Sequence, residues 1–542
     1  MITTNALNFA YSFLKGILLE EELVEACAEL KKIAGCADFE FMITQNDLGY
    51  KEVDDKLARI NEKEVDRKKR GVYYTPCDVV KFIISNTVKV MYGLVDSKNI
   101  SSQDLSEIPA EDFGTNKTVL DPTCGAGEFL LATLMLKIAL LRRNGVDIEK
   151  KELSKIIGTI HGNDINEDSI CITKIRLFLY AVKKLGMKNC IGISGILNKS
   201  FTTYDFASSL PDMKKRFDII VGNPPYVEDG KSGLLLDTKY GNIYANVLEH
   251  SGRLLKTGGC IGFIIPISYI STPRMKKIRE KLISILPEQY ILSYADRPDC
   301  LFDGVHQKLS ILIGNSKKGM TKIYTGNYQY WYQQERKELF KNTKIILNDF
   351  YNDDNIPKIG TSIDADIFNK ILMSNPDENV YELSRQGDER VYINRREAFW
   401  IKAYRHEVKD PEYKVFCFDR ASDADYCYCL VNSSLFWWYW ISVSDCWHIS
   451  KDLNGFRAPK ISDTRRATKL ANDLIRKLEE TKVYVGTKQT EYEYKHKACL
   501  KEIGAIDKYI NEIYNLTPEE SLYIRNFAIK YRTSGEVASI DE

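Results

Sequence analysis

The sequence predicts an α/β chain built on a doubly wound, mostly parallel sheet, with a helical stretch before it and an aromatic-rich region ending in helices after it. Three observations carry this. Thr118-Val119-Leu120 reads as a short strand, runs through the glycine-bearing turn Asp121 to Gly127, and feeds a long apolar helix holding Phe129, Leu131, Leu134, Ile138 and Leu141. Strand, glycine-rich turn and helix form the opening unit of such a sheet. Phe217 to Val221 is short, apolar and β-branched, hence a buried strand, and Gly222-Asn223-Pro224-Pro225-Tyr226 stops it, because the prolines forbid further ladder pairing. Cys260 to Pro266 and Leu309 to Ile313 are further runs of buried-strand character.

Taken in order, residues 1 to about 65 repeat Leu19, Leu23, Ala26, Leu30 and Ile33 near helical spacing and continue into a charged segment, Lys51 to Arg70. Gly71-Val72-Tyr73-Tyr74-Thr75-Pro76 precedes an amphipathic helix with Val79, Val80, Ile83, Ile84 and Val88, and Thr-Pro is a helix-start signal. A second strand is expected over Ile157 to Asn163, ending in Asp164-Ile165-Asn166, and a third around Cys190 to Ser194. After the Asn223 strand come a loop of glycines and lysines, Asp229 to Gly241, and a helix from Tyr244 to Leu255. Beyond Gly314 the composition shifts. Aromatic residues crowd Tyr324 to Trp447, interleaved with Arg395, Arg396, Lys402, Arg405 and Arg420, which fits nucleic-acid contact. The run Phe436 to Ile441 reads as core rather than a stacking platform. Thr517-Pro518-Glu519-Glu520 is a capping box that starts a last helix.

The bulk figures set bounds. A length of 542 residues holds several domains, and 44% hydrophobic with 28% charged residues is ordinary for a globular protein. A formal net charge of +1 excludes a general polycation, so any nucleic-acid surface is local. The longest apolar run, Cys260 to Ile270, is short and broken by Pro266, so no membrane partner is expected. Thirteen cysteines without a Cys-x-x-Cys pair point to reduced thiols in a cytoplasm, and with six scattered histidines no metal site is expected.

Several residues suggest chemistry. Asn223 stands at a strand end on a stiffened backbone, where its side-chain oxygen and the Pro224 carbonyl can both accept from one planar NH2 group. Tyr226 offers a ring for stacking. The glycine turn lacks the third glycine of a dinucleotide fingerprint, Leu130 standing there, and it carries Asp121 and Glu128, which repel a pyrophosphate. Close backbone approach beside negative charge suits an ammonium or sulfonium group, and S-adenosylmethionine has both. Asp164 is placed to hold ribose hydroxyls, with Ile165 against the adenine face.

In this order, Gly-Val-Tyr-Tyr-Thr-Pro, Asp-Pro-Thr-Cys-Gly-Ala-Gly, Asn-Asp-Ile-Asn and Asn-Pro-Pro-Tyr resemble the gamma-class N6-adenine DNA methyltransferases of type II restriction–modification systems, the TaqI-like enzymes. The resemblance covers residues 68 to 315 well and the last third loosely. It implies a Rossmann-like class I methyltransferase domain over 68–320, an N-terminal helical region over 1–67, an α+β target-recognition domain over 321–460 and a helical region over 461–542. It implies S-adenosylmethionine as cofactor, with Tyr74 and Thr75 at its methionine end and Asp121, Cys124, Gly125 and Gly127 around it. Asp164 then takes the ribose and Ile165 the adenine. Asn223 and Pro224 grip the target amino group, with Pro225 beside them in the catalytic set, Tyr226 stacks on the extruded base, and Phe302 is the second aromatic wall, with His306 as runner-up. The family often carries an acidic residue after the third strand. The stretch read there, Ser194-Gly195-Ile196-Leu197, has none. The implied partners are double-stranded DNA and a cognate restriction endonuclease or defence-complex subunits. Three other readings stay open: a modification subunit of a multi-subunit complex, an Asn-Pro-Pro-Tyr enzyme acting on RNA or a protein glutamine, and a non-catalytic DNA-binding module.

Overall fold

Nine strands form one sheet: Val119–Asp121 (β1), Ile160–Asp164 (β2), Phe201–Thr203 (β3), Phe217–Gly222 (β4), Leu255–Pro266 (β5), Glu288–Tyr294 (β6), Leu309–Asn315 (β7), Lys322–Thr325 (β8) and Ile346–Leu347 (β9). Their order is β9-β8-β6-β7-β5-β4-β1-β2-β3. This computed structural model describes residues 2–45, 48–60, 74–101, 104–209, 215–374, 384, 386–408, 410–449, 455–461, 465–486 and 491–540. From β3 to β5 all neighbours run parallel, and β7 is antiparallel to both β5 and β6. This is the doubly wound Rossmann-like α/β fold expected from the sequence. The strand order reverses between β1 and β4, and a crevice at such a switch point is where open α/β sheets bind ligands.

Helices Ile2–Lys15 (α1), Glu20–Ala34 (α2) and Tyr50–Ala58 (α3) belong to the same core as Glu128–Arg143 (α5), Lys150–Gly158 (α6), Glu167–Leu185 (α7) and Ile193–Ser200 (α8). Cys77–Tyr92 (α4), Tyr244–Arg253 (α9) and Lys276–Ile285 (α10) bury their apolar faces in a second core that runs into the C-terminal half. The N-terminal helices are tied to α7 and α8 by polar bonds. Thr3 donates to Asp168, Lys174 Nζ donates to Ile33 O at 3.0 Å, and Ser194 N donates to Glu29 Oε2 at 3.0 Å.

Three expectations need correction or extension. The third strand does not lie at Cys190 to Ser194, where the chain is helical through Met187–Cys190 and α8. The apolar residues Ile193 and Leu197 are one helix face, covered by the N-terminal helices, and the strand itself is β3. Strand β6 has no counterpart in the sequence reading. The sheet also runs past residue 320, since β8 pairs with β6 and β9 with β8. The boundary expected at 67/68, and Gly71, Val72 and Tyr73, lie outside the described residues.

Beyond the sheet, Glu389–Asn394 (β10), Ala403–Tyr404 (β11) and Tyr413–Phe418 (β12) form an antiparallel sheet in the order β11-β10-β12. Ala421–Asn432 (α12) packs on this sheet, and Ser362–Met373 (α11), Ser434–Val443 (α13), Arg465–Thr481 (α14), Leu500–Ile513 (α15) and Pro518–Asn526 (α16) complete this half. Every residue of α13 is buried, so the aromatic run Phe436 to Ile441 is core. The last capping box forms as read, with Thr517 Oγ1 accepting from Glu520 N at 3.2 Å and Thr517 N donating to Glu520 Oε2 at 2.6 Å.

Candidate functional site

The carboxyl ends of the parallel strands β1, β2, β3 and β4 lie along one edge of the sheet, and a buried asparagine joins the loops after β1 and β3. Asn163 Nδ2 donates to Pro122 O and to Tyr204 O, both at 3.0 Å, while its Oδ1 accepts from Thr202 Oγ1 at 3.0 Å. Its carbonyl accepts from Cys124 N at 2.8 Å. One side chain at the end of β2 thereby sets the loops after β1 and β3.

The turn after β1 has the shape its glycines allow. Gly125 (φ +51) and Gly127 (φ +87) are left-handed, and a Cβ at Gly127 would sit 2.5 Å from Thr173 Cγ2. Thr173 Oγ1 donates to Gly125 O at 2.8 Å, so α7 supports the turn from below. Asp164 Oδ2 accepts from Gly125 N at 2.9 Å and Oδ1 from Asn166 N at 2.9 Å. The carboxylate expected to hold a ribose is therefore also a strut between β2 and the glycine turn. Next to it Ile165 is bare, 64% exposed, an apolar surface at the crevice rim.

Asp121 is 1% exposed and accepts from Thr123 N at 3.1 Å. Burial raises its carboxyl well above the ordinary range, and the nearby Asp164 charge adds to this. Burial raises Asp164 as well, against the backbone N–H groups of Asn166, Gly125 and Ile165, which favour its charged form. Two neighbouring carboxyls that disfavour the anionic form when unbound would both gain from a cation placed beside them. Cys124 is buried with its thiol pushed far up by burial and by both aspartates, so it is no nucleophile. Thr123 Oγ1 is buried without a hydrogen-bond partner. The glycine approach, the bare Ile165, the free hydroxyl and the paired carboxyls fit a ligand with an apolar ring at one end and a cationic centre at the other.

At the end of β4, a Cβ on Gly222 would stand 2.8 Å from Asp121 Oδ1, so a side chain there would displace that carboxyl. Asn223 follows. Its Nδ2 donates to Thr75 Oγ1 at 3.0 Å, and its Oδ1 is buried without a partner. That leaves an acceptor, fixed in orientation by Thr75, with nothing to accept from. Pro224 is buried and Pro225 half-buried. The half-buried Tyr226 is pinned at both ends: its hydroxyl donates to Ile264 O at 2.9 Å, and its ring meets Tyr244 edge-on at 6.4 Å. Tyr74 is half-buried with the Arg59 guanidinium 5.4 Å from its ring centre.

The structure thus brings Thr75, Asp121 and Asn223 together, and Asp164 with Gly125. Phe302 is placed differently from a free wall. It is 3% exposed and packs in the core, in a tight turn where Val305 N donates to Phe302 O at 3.0 Å. His306 is exposed, with Nδ1 3.0 Å from Asp296 O. Arg336 fixes this loop to the start of α4, donating to Leu301 O at 2.9 Å, to Cys300 O at 3.0 Å and to Asp78 at 2.7 Å.

Two features escaped the sequence reading. With β3 relocated, the acidic residue after the third strand is Asp205, within Tyr204-Asp205-Phe206. Its Oδ1 accepts from Ala207 N at 3.0 Å and its Oδ2 from the Ser208 hydroxyl. A carboxylate beside aromatics just past a threonine pair was the available signal. The second is Arg176 on α7, fully buried. It donates to Asp54 Oδ1 on α3 at 2.8 Å, to Ala126 O in the glycine turn at 2.6 Å, and to Glu128. Nothing in the local pattern of α7 marks it.

Comparison with known proteins covers part of this region. Residues 158–297 match the family model described as Eco57I restriction-modification methylase. A Methanocaldococcus jannaschii protein, whose name joins a type II restriction enzyme and a methyltransferase, is 30% identical over 170 residues, 26% of this chain and 14% of that protein. The adenine-specific methyltransferase PglX of Streptomyces coelicolor is 24% identical over 30% of this chain and 15% of its own length. The type II methyltransferase M.PaeR7I of Pseudomonas aeruginosa is 22% identical over 47% of this chain and 42% of its own. The chain therefore spans less than half the length of these relatives. Among solved structures, the type IIL restriction-modification enzyme MmeI in complex with DNA aligns at a TM-score of 0.51 and 12% identity, over 95% of this chain and 83% of that one, a likeness of fold.

Proposed function

We propose that this chain is an S-adenosylmethionine-dependent DNA methyltransferase of a restriction–modification or phage-defence system, and that it methylates the N6 amino group of an adenine turned out of the duplex. One observation supports this reading above the others: Asn223 Oδ1, buried and unpartnered, beside an amide nitrogen already engaged by Thr75. An acceptor left free at the end of a proline-locked strand calls for an N–H donor from outside the chain.

Each residue then has a part. The cofactor, when bound, supplies the methyl group on a sulfonium that is already a good leaving group. Asp121 and Asp164 offer negative charge to its cationic end and its ribose, Ile165 an apolar face, and Asp205 the acidic position after β3. Adenine N6 is a poor nucleophile because its lone pair is delocalised into the ring. Accepting both its protons, through Asn223 Oδ1 and the Pro224 carbonyl, favours a tetrahedral nitrogen whose lone pair is localised for attack. The chain's contribution is positioning and fixed dipoles. Tyr226, held at hydroxyl and ring, stacks on the base, and the loop of Phe302 closes the other side. Duplex DNA is the substrate, and the region 321–460, with its aromatic and basic residues, reads sequence at base edges.

Tritiated methyl transfer to plasmid DNA from a host without adenine methylation tests this. Asn223→Ala is expected to lose on the order of 100-fold to 1,000-fold in rate, with cofactor affinity and melting temperature close to the parent. Near-normal turnover by the folded variant overturns the clamp. Methylated RNA or protein with DNA untouched overturns the substrate.

A further inference from the structure

Between Tyr226 and α9 the chain makes a closed loop over residues 228–242. Its neck is tied by Ile243 N donating to Val227 O at 2.9 Å. Within it Asp229 Oδ2 accepts from Gly241 N at 2.6 Å, and Asn246 Nδ2 on α9 donates to Thr238 O at 2.7 Å. The buried Tyr240 anchors its return limb, donating to Glu249 Oε2 at 2.5 Å and accepting from Lys281 Nζ at 2.8 Å. The loop is therefore a braced element.

Its sequence holds three successive leucines that are treated differently. Leu234 and Leu236 are half-buried against the core. Leu235 between them is 91% exposed, the most exposed of the large hydrophobic side chains among the described residues. A solitary surface leucine needs no explanation. This one differs in its mount and its place. Leucines on both sides hold it out, and both limbs of the loop are rooted at Tyr226, one through Val227 and the other through Tyr244, whose ring touches it. Lys239 on the loop and Arg274 against Gly241 are exposed cations, Asp237 on the loop is an exposed acid, and Glu228 is paired with Lys231 at 2.8 Å.

We propose that Leu235 is an apolar wedge that enters the base stack of duplex DNA at the gap left by the extruded adenine. The inference rests on the function proposed above and assigns a residue that reading does not use. A flipped base leaves unstacked neighbours exposed to water, and an apolar side chain in the gap replaces part of the lost stacking. Lys239 and Arg274 supply cations for the flanking phosphates.

The test uses the full chain. The methylated site is first mapped by sequencing plasmid DNA modified by the parent protein. Oligonucleotide duplexes carrying that site are then compared, one with thymine and one with an abasic position opposite the target adenine. Leu235→Ala is expected to lose about 10-fold to 100-fold in kcat/KM on the paired duplex, because unpairing loses its support. It should regain most of that on the abasic duplex, where extrusion is already eased, and Leu235→Met should stay near the parent on both. Cofactor affinity and melting temperature should not move. A Leu235→Ala protein as active as the parent on the paired duplex, or equally impaired on both, overturns the wedge while the methyltransferase reading stands. A parent protein that modifies no DNA overturns both.

Discussion

The amide of Asn223 is oriented by the hydroxyl of Thr75: Nδ2 donates to Oγ1 at 3.0 Å, across 148 residues of chain. The resemblance implies Thr75 at the cofactor's methionine end, yet its hydroxyl accepts from Asn223. Without that hydroxyl nothing distinguishes the two ends of the amide, and the orientation with nitrogen where oxygen belongs becomes accessible. Thr75→Val is expected to lower kcat about 3-fold to 10-fold, the worth of one neutral hydrogen bond, with a smaller change in cofactor affinity. Thr75→Ser should keep the parent rate. Steady-state kinetics on plasmid DNA with calorimetry of cofactor binding checks both.

Asp164 carries two loads. Its oxygens accept from Gly125 N and Asn166 N at 2.9 Å each. Asp164→Ala is expected to abolish measurable cofactor binding and also to destabilise the unbound protein by about 1–3 kcal/mol, as two backbone donors lose their acceptor. A melting curve unchanged from the parent would show that the strut is idle, and unchanged cofactor affinity would remove Asp164 from the site.

The raised carboxyls of Asp121 and Asp164 give a pH dependence with a defined sign. Their folded values lie above the ordinary 3.8, so the unbound fold holds protons that the unfolded chain has released. Their contribution to the stability of the unbound protein is full below 3.8 and is lost as pH rises through the folded values. A cationic ligand reverses the preference by favouring the anions. Binding of S-adenosylmethionine should release protons on the acid side and tighten as pH rises from 3.8 through the raised folded values. Calorimetry in buffers of different ionisation enthalpy reads the release directly, and Asp121→Asn should flatten it.

Arg176 couples the N-terminal helices to the glycine turn. Arg176→Met leaves Asp54 and Glu128 unpaired and is expected to cost about 3–5 kcal/mol. Asp54→Asn keeps the shape and one acceptor. It should raise KM for the cofactor while leaving kcat near the parent, because it loosens the turn and not the clamp. Equal falls in both parameters would place Asp54 elsewhere in the mechanism.

What was legible in the sequence was whatever lay on one short stretch. Asn223 and its prolines, the glycine turn and Asp164 each stand at the end of a recognisable apolar strand, and the parallel sheet brings those ends together. β6 was not legible because Gln289 and Ser293 interrupt its apolar run, although both are buried. Gln289 Nε2 donates to Leu286 O at 3.1 Å, and Ser293 Oγ lies 3.1 Å from Ser310 Oγ on β7. β3 has three residues, two of them exposed, too few to show a period. Misplacing it hid Asp205. Arg176 was hidden for another reason: its partners lie 122, 50 and 48 residues away, and no local pattern encodes them.

The covering of α7 and α8 by α1, α2 and α3 has a consequence for biogenesis. Thr3 and Asp168 are 165 residues apart, as are Glu29 and Ser194. At ribosomal speeds the first helices wait roughly 10 to 30 seconds for these partners to be made. In the finished fold α1 packs on α2, α3 and α7, and of these α7 is made last. This half of the molecule then assembles in one late step, when β3 and α8 emerge, with a loop-closure cost that shorter-range pairings avoid. The order of synthesis thus makes the closing of this helical half depend on residues up to Ser200.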